Sequence, residues 1–280
     1  MSDLEHITND VAIRYRIHGD GPEPLLCIHG VGASGESWDD VAARLSDRFT
    51  IVTFDLRGHG RSTKVKGRYE IDDFVDDALS IADHVGFSDF NLAGFSLGGL
   101  IAQRMALTHA SRVRRLFLFS TVANRTEEER ERVLARLHAL RTTERGSHYD
   151  ASMSRWFSDG FRTANPELMA QLRAQNAKND PESYASAYRV LAETDFGGLL
   201  DQIRCPTLIA TGEHDIGSNP RMARTMHEAI VGSELAILEG LRHSILVEAP
   251  DVVASLIGTF VSGKTVRRRT SDALREERAR

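Results

Sequence analysis

The chain has 280 residues, 41% hydrophobic and 27% charged, which suits a globular protein of one large domain or two small ones. Its formal net charge of −5 argues against a nucleic-acid partner held by bulk electrostatics. Cys27 and Cys205 are too few for a disulfide framework and point to a reduced, cytoplasmic compartment. The opening MSDLEHITND lacks the basic start and apolar run of a signal peptide, and no stretch reaches the roughly 20 apolar residues of a membrane span.

Along the chain, Val11 to Ile17 alternates apolar and polar residues, as a half-buried strand does. Pro24 to Ile28, Phe49 to Phe54, Phe90 to Gly94 and Arg114 to Phe119 are more continuously apolar, as in strands covered on both faces. Pro206 to Thr211 and Glu234 to Leu238 complete the strand set. Ile71, Phe74, Val75, Ala78, Leu79, Ala82 and Val85 follow helical spacing, with Asp72 and Asp73 at the amino end and Gly86 at the stop. A second helix follows Ser96. The alternation predicts an α/β fold, a mostly parallel sheet flanked by helices. From 123 to 199 the pattern turns charged and helical with no strand, which predicts a helical cap inserted into a core of residues 1–122 and 200–262. The tail, 263–280, carries seven Lys or Arg against three acids, a local +4 that leaves −9 for the rest, and reads as a solvated extension.

Gly94-Phe95-Ser96-Leu97-Gly98 is a G-x-S-x-G between a strand and a helix, the context of a nucleophile elbow. The serine sits on a tight turn, so its neighbours must be small, and the helix amino terminus favours developing negative charge. His29-Gly30-Val31-Gly32 follows another strand. There a glycine-rich turn aims a backbone N–H at the carbonyl under attack, so the oxyanion donors are expected to be the N–H groups of Val31 and Leu97. His29 is expected to be a buried histidine that holds this loop. A serine needs a base and the base an orienting acid. His243 and Asp215 each follow a strand, where α/β sheets place their sites, and Glu213 is the rival acid. Phe54 to Ser62 (FDLRGHGRS) is a glycine-bearing loop in which Arg57 or Arg61 could face an anion.

HGVG, DLRGHGRS, GFSLGG, GEHD and RHS together resemble the α/β-hydrolase superfamily over Val11 to Val261. Within it the chain looks most like the 3-oxoadipate (β-ketoadipate) enol-lactonases, on Ser154 to Phe161 (SRWFSDGF) and on DPESYASAYRVLAETDF. The resemblance implies hydrolysis of a lactone or ester by Ser96, Asp215 and His243 through an acyl-enzyme, with no cofactor and no metal. It also implies a small-molecule ester or lactone as partner, while the net charge and the lack of a long apolar run leave no nucleic acid and no membrane expected. Trp156 would line the pocket, and Arg155, Arg162 or Arg189 would bind an acidic substrate. Two features depart from the family: Leu241-Arg242 stands before His243, where small residues are commoner, and Tyr188 stands where a smaller residue is expected. Both would reshape the substrate pocket. A broad carboxylesterase or a carbon–carbon bond hydrolase of ring-cleavage products would use the same triad. A slow-turnover ligand receptor on this fold is a different class.

Overall fold

The structure is a computed structural model that describes residues 3–142 and 147–265. Most of the expected tail, from residue 266, lies outside the described residues. The chain opens with a hairpin of β1 (Leu4–Thr8) and β2 (Val11–His18), turned at Asn9 and Asp10 with φ of 46° and 63°. Both turn residues tolerate the left-handed region that a tight hairpin needs. The sequence reading missed β1, because this edge strand is mostly exposed and carries no apolar alternation.

The other strands fall close to expectation: β3 (Glu23–Ile28), β4 (Phe49–Phe54), β5 (Phe90–Phe95), β6 (Val113–Phe119), β7 (Thr207–Gly212) and β8 (Glu234–Leu238). They form one sheet in the order β1-β2-β4-β3-β5-β6-β7-β8. The pairs β1–β2 and β2–β4 are antiparallel, and all others are parallel.

Helices cover both faces because the central strands are apolar on both. In β3, Leu25 and Cys27 face a layer with Trp38, Val41 of α1 (Asp39–Ala43) and Ile257 near the end of the chain. Leu26 and Ile28 face the opposite layer, with Phe74 of α2 (Ile71–His84) and Ile101 of α3 (Leu97–Thr108). Each such side chain contributes about 1.5–3 kcal/mol when fully buried.

Between β6 and β7 the described residues form only helices and turns: α4 (Glu127–Thr142), α5 (Ser147–Trp156), α6 (Asp159–Ala164), α7 (Pro166–Asn176) and α8 (Pro181–Glu193). Pro166 and Pro181 sit at helix starts, where the missing N–H costs nothing. Ser158 and Asp180 cap α6 and α8 by accepting from Phe161 and Ser183 N–H. Val133 and Leu137 of α4 pack on Ala192 of α8, while Ala187 and Val190 of α8 join the α2–α3 layer. The chain ends in α9 (Pro220–Ala229), α10 (Ile245–Glu248) and α11 (Pro250–Val261).

The chain leaves β3 for β4 on one side and returns to β5 on the other. Their carboxyl ends therefore bound a crevice of the kind in which α/β sheets place ligands.

Candidate active site

Ser96 stands at the end of β5 with φ 55° and ψ −114°, a conformation costly for any residue with a Cβ. The surroundings hold it there: its N–H donates to Phe119 at 3.0 Å, and its carbonyl accepts from Thr121 Oγ1 at 2.8 Å. The turn closes because two neighbours lack side chains. A Cβ on Gly94 would lie 2.2 Å from the Gly98 carbonyl oxygen, and one on Gly98 would lie 2.2 Å from that of Ile28. Alanine fits at neither place without moving backbone.

His243 lies in the loop after β8, and its Nδ1–H donates to Asp215 Oδ2 at 2.7 Å. Its ring packs 5.1 Å, centroid to centroid, from that of Phe95, the residue before Ser96. Asp215 follows β7 and is 3% exposed. Its Oδ1 accepts the N–H groups of Gly217 and Ser218 at 2.8 and 2.9 Å. Burial pushes this carboxyl up, but the His243 charge and hydrogen bond together with those two N–H groups outweigh it. Asp215 is left below the usual carboxylate range. The rival Glu213 points elsewhere, accepting the Gly240 N–H at 3.0 Å.

Val31 lies in the loop after β3, beside Gly30, where a Cβ would come 2.9 Å from Ser96 Cβ. Leu97 is the first residue of α3, and its side chain is buried in the core behind the elbow. Neither residue's N–H donates to another described residue. Ser96, Val31, Asp215 and His243 all line one cavity of about 850 Å3.

His29 does hold the loop. Its Nε2 accepts the Leu56 N–H at 3.0 Å, so Nδ1 carries the proton and donates to the Gly30 carbonyl at 2.7 Å. Burial drives its pKa down to about 4, so the ring stays neutral.

The helical segment supplies the far wall. Trp156 and Arg155 of α5 and Tyr188 of α8 line the cavity as anticipated. Arg162 does not: it turns along α6 to pair with Asp159 at 2.6 Å. Arg189 is likewise spent on Glu193 and the Tyr69 carbonyl, and Arg57 is buried against Asp77. Arg61 reaches the cavity rim paired with Asp3.

Sequence reading missed Arg136 of α4, which also lines the cavity. α4 reads as charged all round, and only its packing on α8 shows which of its arginines turns inward. Other cavity arginines are engaged: Arg14, Arg16 and Arg132 pair with acids, and the Arg125 guanidinium donates to the Leu191 and Thr194 carbonyls. Among the described residues outside 141–150, no carboxylate forms an ion pair with Arg136 or Arg155. Burial, then the charge of Arg136, depresses the Arg155 pKa, and Arg155 donates to Ser152 Oγ at 2.7 Å. Among the described residues no helix is long and apolar enough to cross a membrane, and no cluster of His, Cys, Asp and Glu is arranged to hold a metal.

Comparison with known proteins places the chain in a family. The chain is 31% identical to the (E)-2-((N-methylformamido)methylene)succinate hydrolase of Acinetobacter baylyi, over 90% of this chain and 95% of that one. It is 30% identical to 3-oxoadipate enol-lactonase 2 of the same organism, over 86% and 90%. The crystal structure of the enol-lactonase from Burkholderia xenovorans LB400 superposes with a TM-score of 0.86 at 27% identity, covering 92% of this chain and all of that one. The profile of the alpha/beta hydrolase fold matches residues 23–250. The chain therefore belongs to the alpha/beta hydrolase fold family and is a hydrolase similar to the 3-oxoadipate enol-lactonases.

Proposed function

We propose that the protein is a serine hydrolase that opens an ester or lactone through an acyl-enzyme, most similar in task to an enol-lactonase. One observation carries this reading: a serine in a strained elbow shares a cavity with a histidine whose Nδ1–H is held by a buried carboxylate. Ser96 Oγ attacks the carbonyl carbon as His243 Nε2 takes its proton. Asp215 holds the tautomer and steadies the imidazolium. The oxyanion rests on the Val31 and Leu97 N–H groups, each worth about 10²–10³ in rate if it behaves as such donors do. Collapse expels an enolate or alkoxide, which His243 protonates, and water then releases the acyl group by the same route.

In this reading, residues 123–199 are a cap over a core of 1–122 and 200–262. The names of both Acinetobacter relatives describe derivatives of dicarboxylic acids. Arg136 and Arg155, without acid partners in the cavity wall, support a substrate that carries a free carboxylate. Trp156 and Tyr188 would pack against its carbon skeleton.

The test is a turnover screen of enol-lactones, the succinate derivative in the relative's name, simple aryl esters and ring-cleavage products. Wild type and Ser96→Ala are run side by side. Turnover that needs Ser96 supports the reading, with the preferred compound naming the substrate. Turnover unchanged in Ser96→Ala overturns the serine mechanism.

A further inference from the structure

Two side chains that take no part in the proposed chemistry fasten the helical segment to the two loops flanking Ser96. Arg242, immediately before His243, turns away from the cavity toward the end of α5. Its Nη1 donates to the Phe157 carbonyl at 3.1 Å, also to that of Ser154, and lies 3.1 Å from the Asp159 carboxylate. The last carbonyls of a helix lack intrahelical partners and carry its negative end, so a guanidinium there is doubly favoured. On the other side of His243, the Ser244 N–H donates to the Trp156 carbonyl at 2.9 Å. Glu248 then accepts the N–H and Oγ–H of Ser158 at 2.8 and 2.7 Å. The histidine thus sits between two neighbours that are both tied to α5.

The second fastening is at the opposite wall. Asn179, in the turn between α7 and α8, donates from Nδ2 to the Gly32 carbonyl at 3.0 Å. Gly32 has φ +76° and lies so close beneath Tyr184 that a Cβ would come 2.6 Å from Cε2 of that ring. The Val31–Gly32 loop is therefore pressed and hydrogen-bonded from the helical side.

We infer that Arg242 and Asn179 are positioning residues, through which the helical segment sets His243 and the Val31 N–H against Ser96. The inference rests on the roles given to Ser96, His243 and Val31 above. A displacement of about 1 Å at reacting groups costs on the order of 10² in rate, so loss of either fastening is read in kcat more than in KM.

The experiment compares wild type with Arg242→Met and Asn179→Ala on an aryl ester, with active sites counted by a serine-directed organophosphonate. Expected are a fall in kcat per titrated site of about 10–100-fold for Arg242→Met and about 10-fold for Asn179→Ala, with KM within about threefold. The rate of phosphonate labelling falls in parallel. Arg242→Lys, which keeps a donor and a charge, recovers most of the loss. Asn179→Asp keeps the shape without the donor and behaves like the alanine variant, so a poorly folded first variant leaves a second to read. A purely structural role would reduce titratable sites or Tm and leave kcat per site unchanged, and that result overturns the inference. Equal changes in KM and kcat/KM at constant kcat also overturn it, assigning both residues to substrate binding. Failure of the serine reading is distinct: wild type would then not be labelled by the phosphonate.

Discussion

His29 accepts the Leu56 N–H on Nε2 at 3.0 Å, which joins the loop after β3 to the loop after its neighbour β4. His59 sits 5.2 Å away, ring to ring, and donates from Nδ1 to the Arg57 carbonyl at 3.0 Å. Burial holds His29 near 4, against a small opposing pull from its bond to Gly30. Burial and then the charge of His29 hold His59 near 3. Both rings are kept neutral by the fold.

This sets an acid limit on stability. The unfolded chain takes up these protons near about 6.5, while the folded chain refuses them until about 4 and about 3. Stability is therefore full above about 6.5 and lost progressively as pH falls below it, by roughly 3 kcal/mol for His29 alone. Urea unfolding of wild type and His29→Gln at pH 7.5, 6.5, 5.5 and 5.0 measures it. The wild type is expected to lose more over this range than the variant, and parallel curves would refute the assignment.

Ser96 is expected to trade stability for chemistry. Ser96→Ala keeps the strained φ of 55° and loses turnover and phosphonate labelling, whereas Ser96→Gly loses both and relieves the strain. The glycine variant should melt about 2–4 °C above the alanine variant, for a gain near 1 kcal/mol in a chain of this size. A lower Tm for glycine would mean that the elbow is not strained.

Asp215→Asn should keep the shape and lower kcat by about 10³–10⁴, because an amide does not enforce the required tautomer. Glu213→Gln should change kcat by less than threefold, since Glu213 accepts the Gly240 N–H and pairs at 3.7 Å with His214. Because the folded Asp215 carboxyl lies below its ordinary value, its ionised form stabilises the fold above that ordinary value. That contribution disappears as pH falls through the lower folded value. Comparable losses in the two variants would leave the choice of acid wrong.

For Arg136 and Arg155 the measurement is a ratio. The aryl monoester of glutarate, which carries a free carboxylate, is compared with the aryl ester of butyrate. Arg136→Gln and Arg155→Gln should each lower the kcat/KM ratio of the charged over the neutral ester by about 10–100-fold, the span of a hydrogen bond to a charged group. A ratio that does not move in either variant removes the two arginines from substrate recognition.

Much of this was legible in the chain itself. Gly94-Phe95-Ser96-Leu97-Gly98 announces the elbow because backbone sterics at Gly94 and Gly98 admit no Cβ, a constraint that acts locally and so marks the sequence locally. Continuous apolar runs locate β3 to β8, since burial leaves little room for polar residues, and the alternation of Val11 to Ile17 locates β2. The pairing of Asp215, not Glu213, with His243 was only half legible, because both acids follow β7 and a two-residue difference is settled by how the loop folds.

Sequence by itself determined the fold class, the elbow serine and the helical stretch between β6 and β7, because each depends on neighbours within a few residues. Tertiary structure alone decided which arginines face the cavity: Arg136 and Arg155 line it, while Arg162, Arg189 and Arg242 are spent on acids and helix ends. The physical reason is that a long guanidinium side chain goes to whichever carboxylate or carbonyl the packing brings within reach, and those partners lie on other elements as often as on its own.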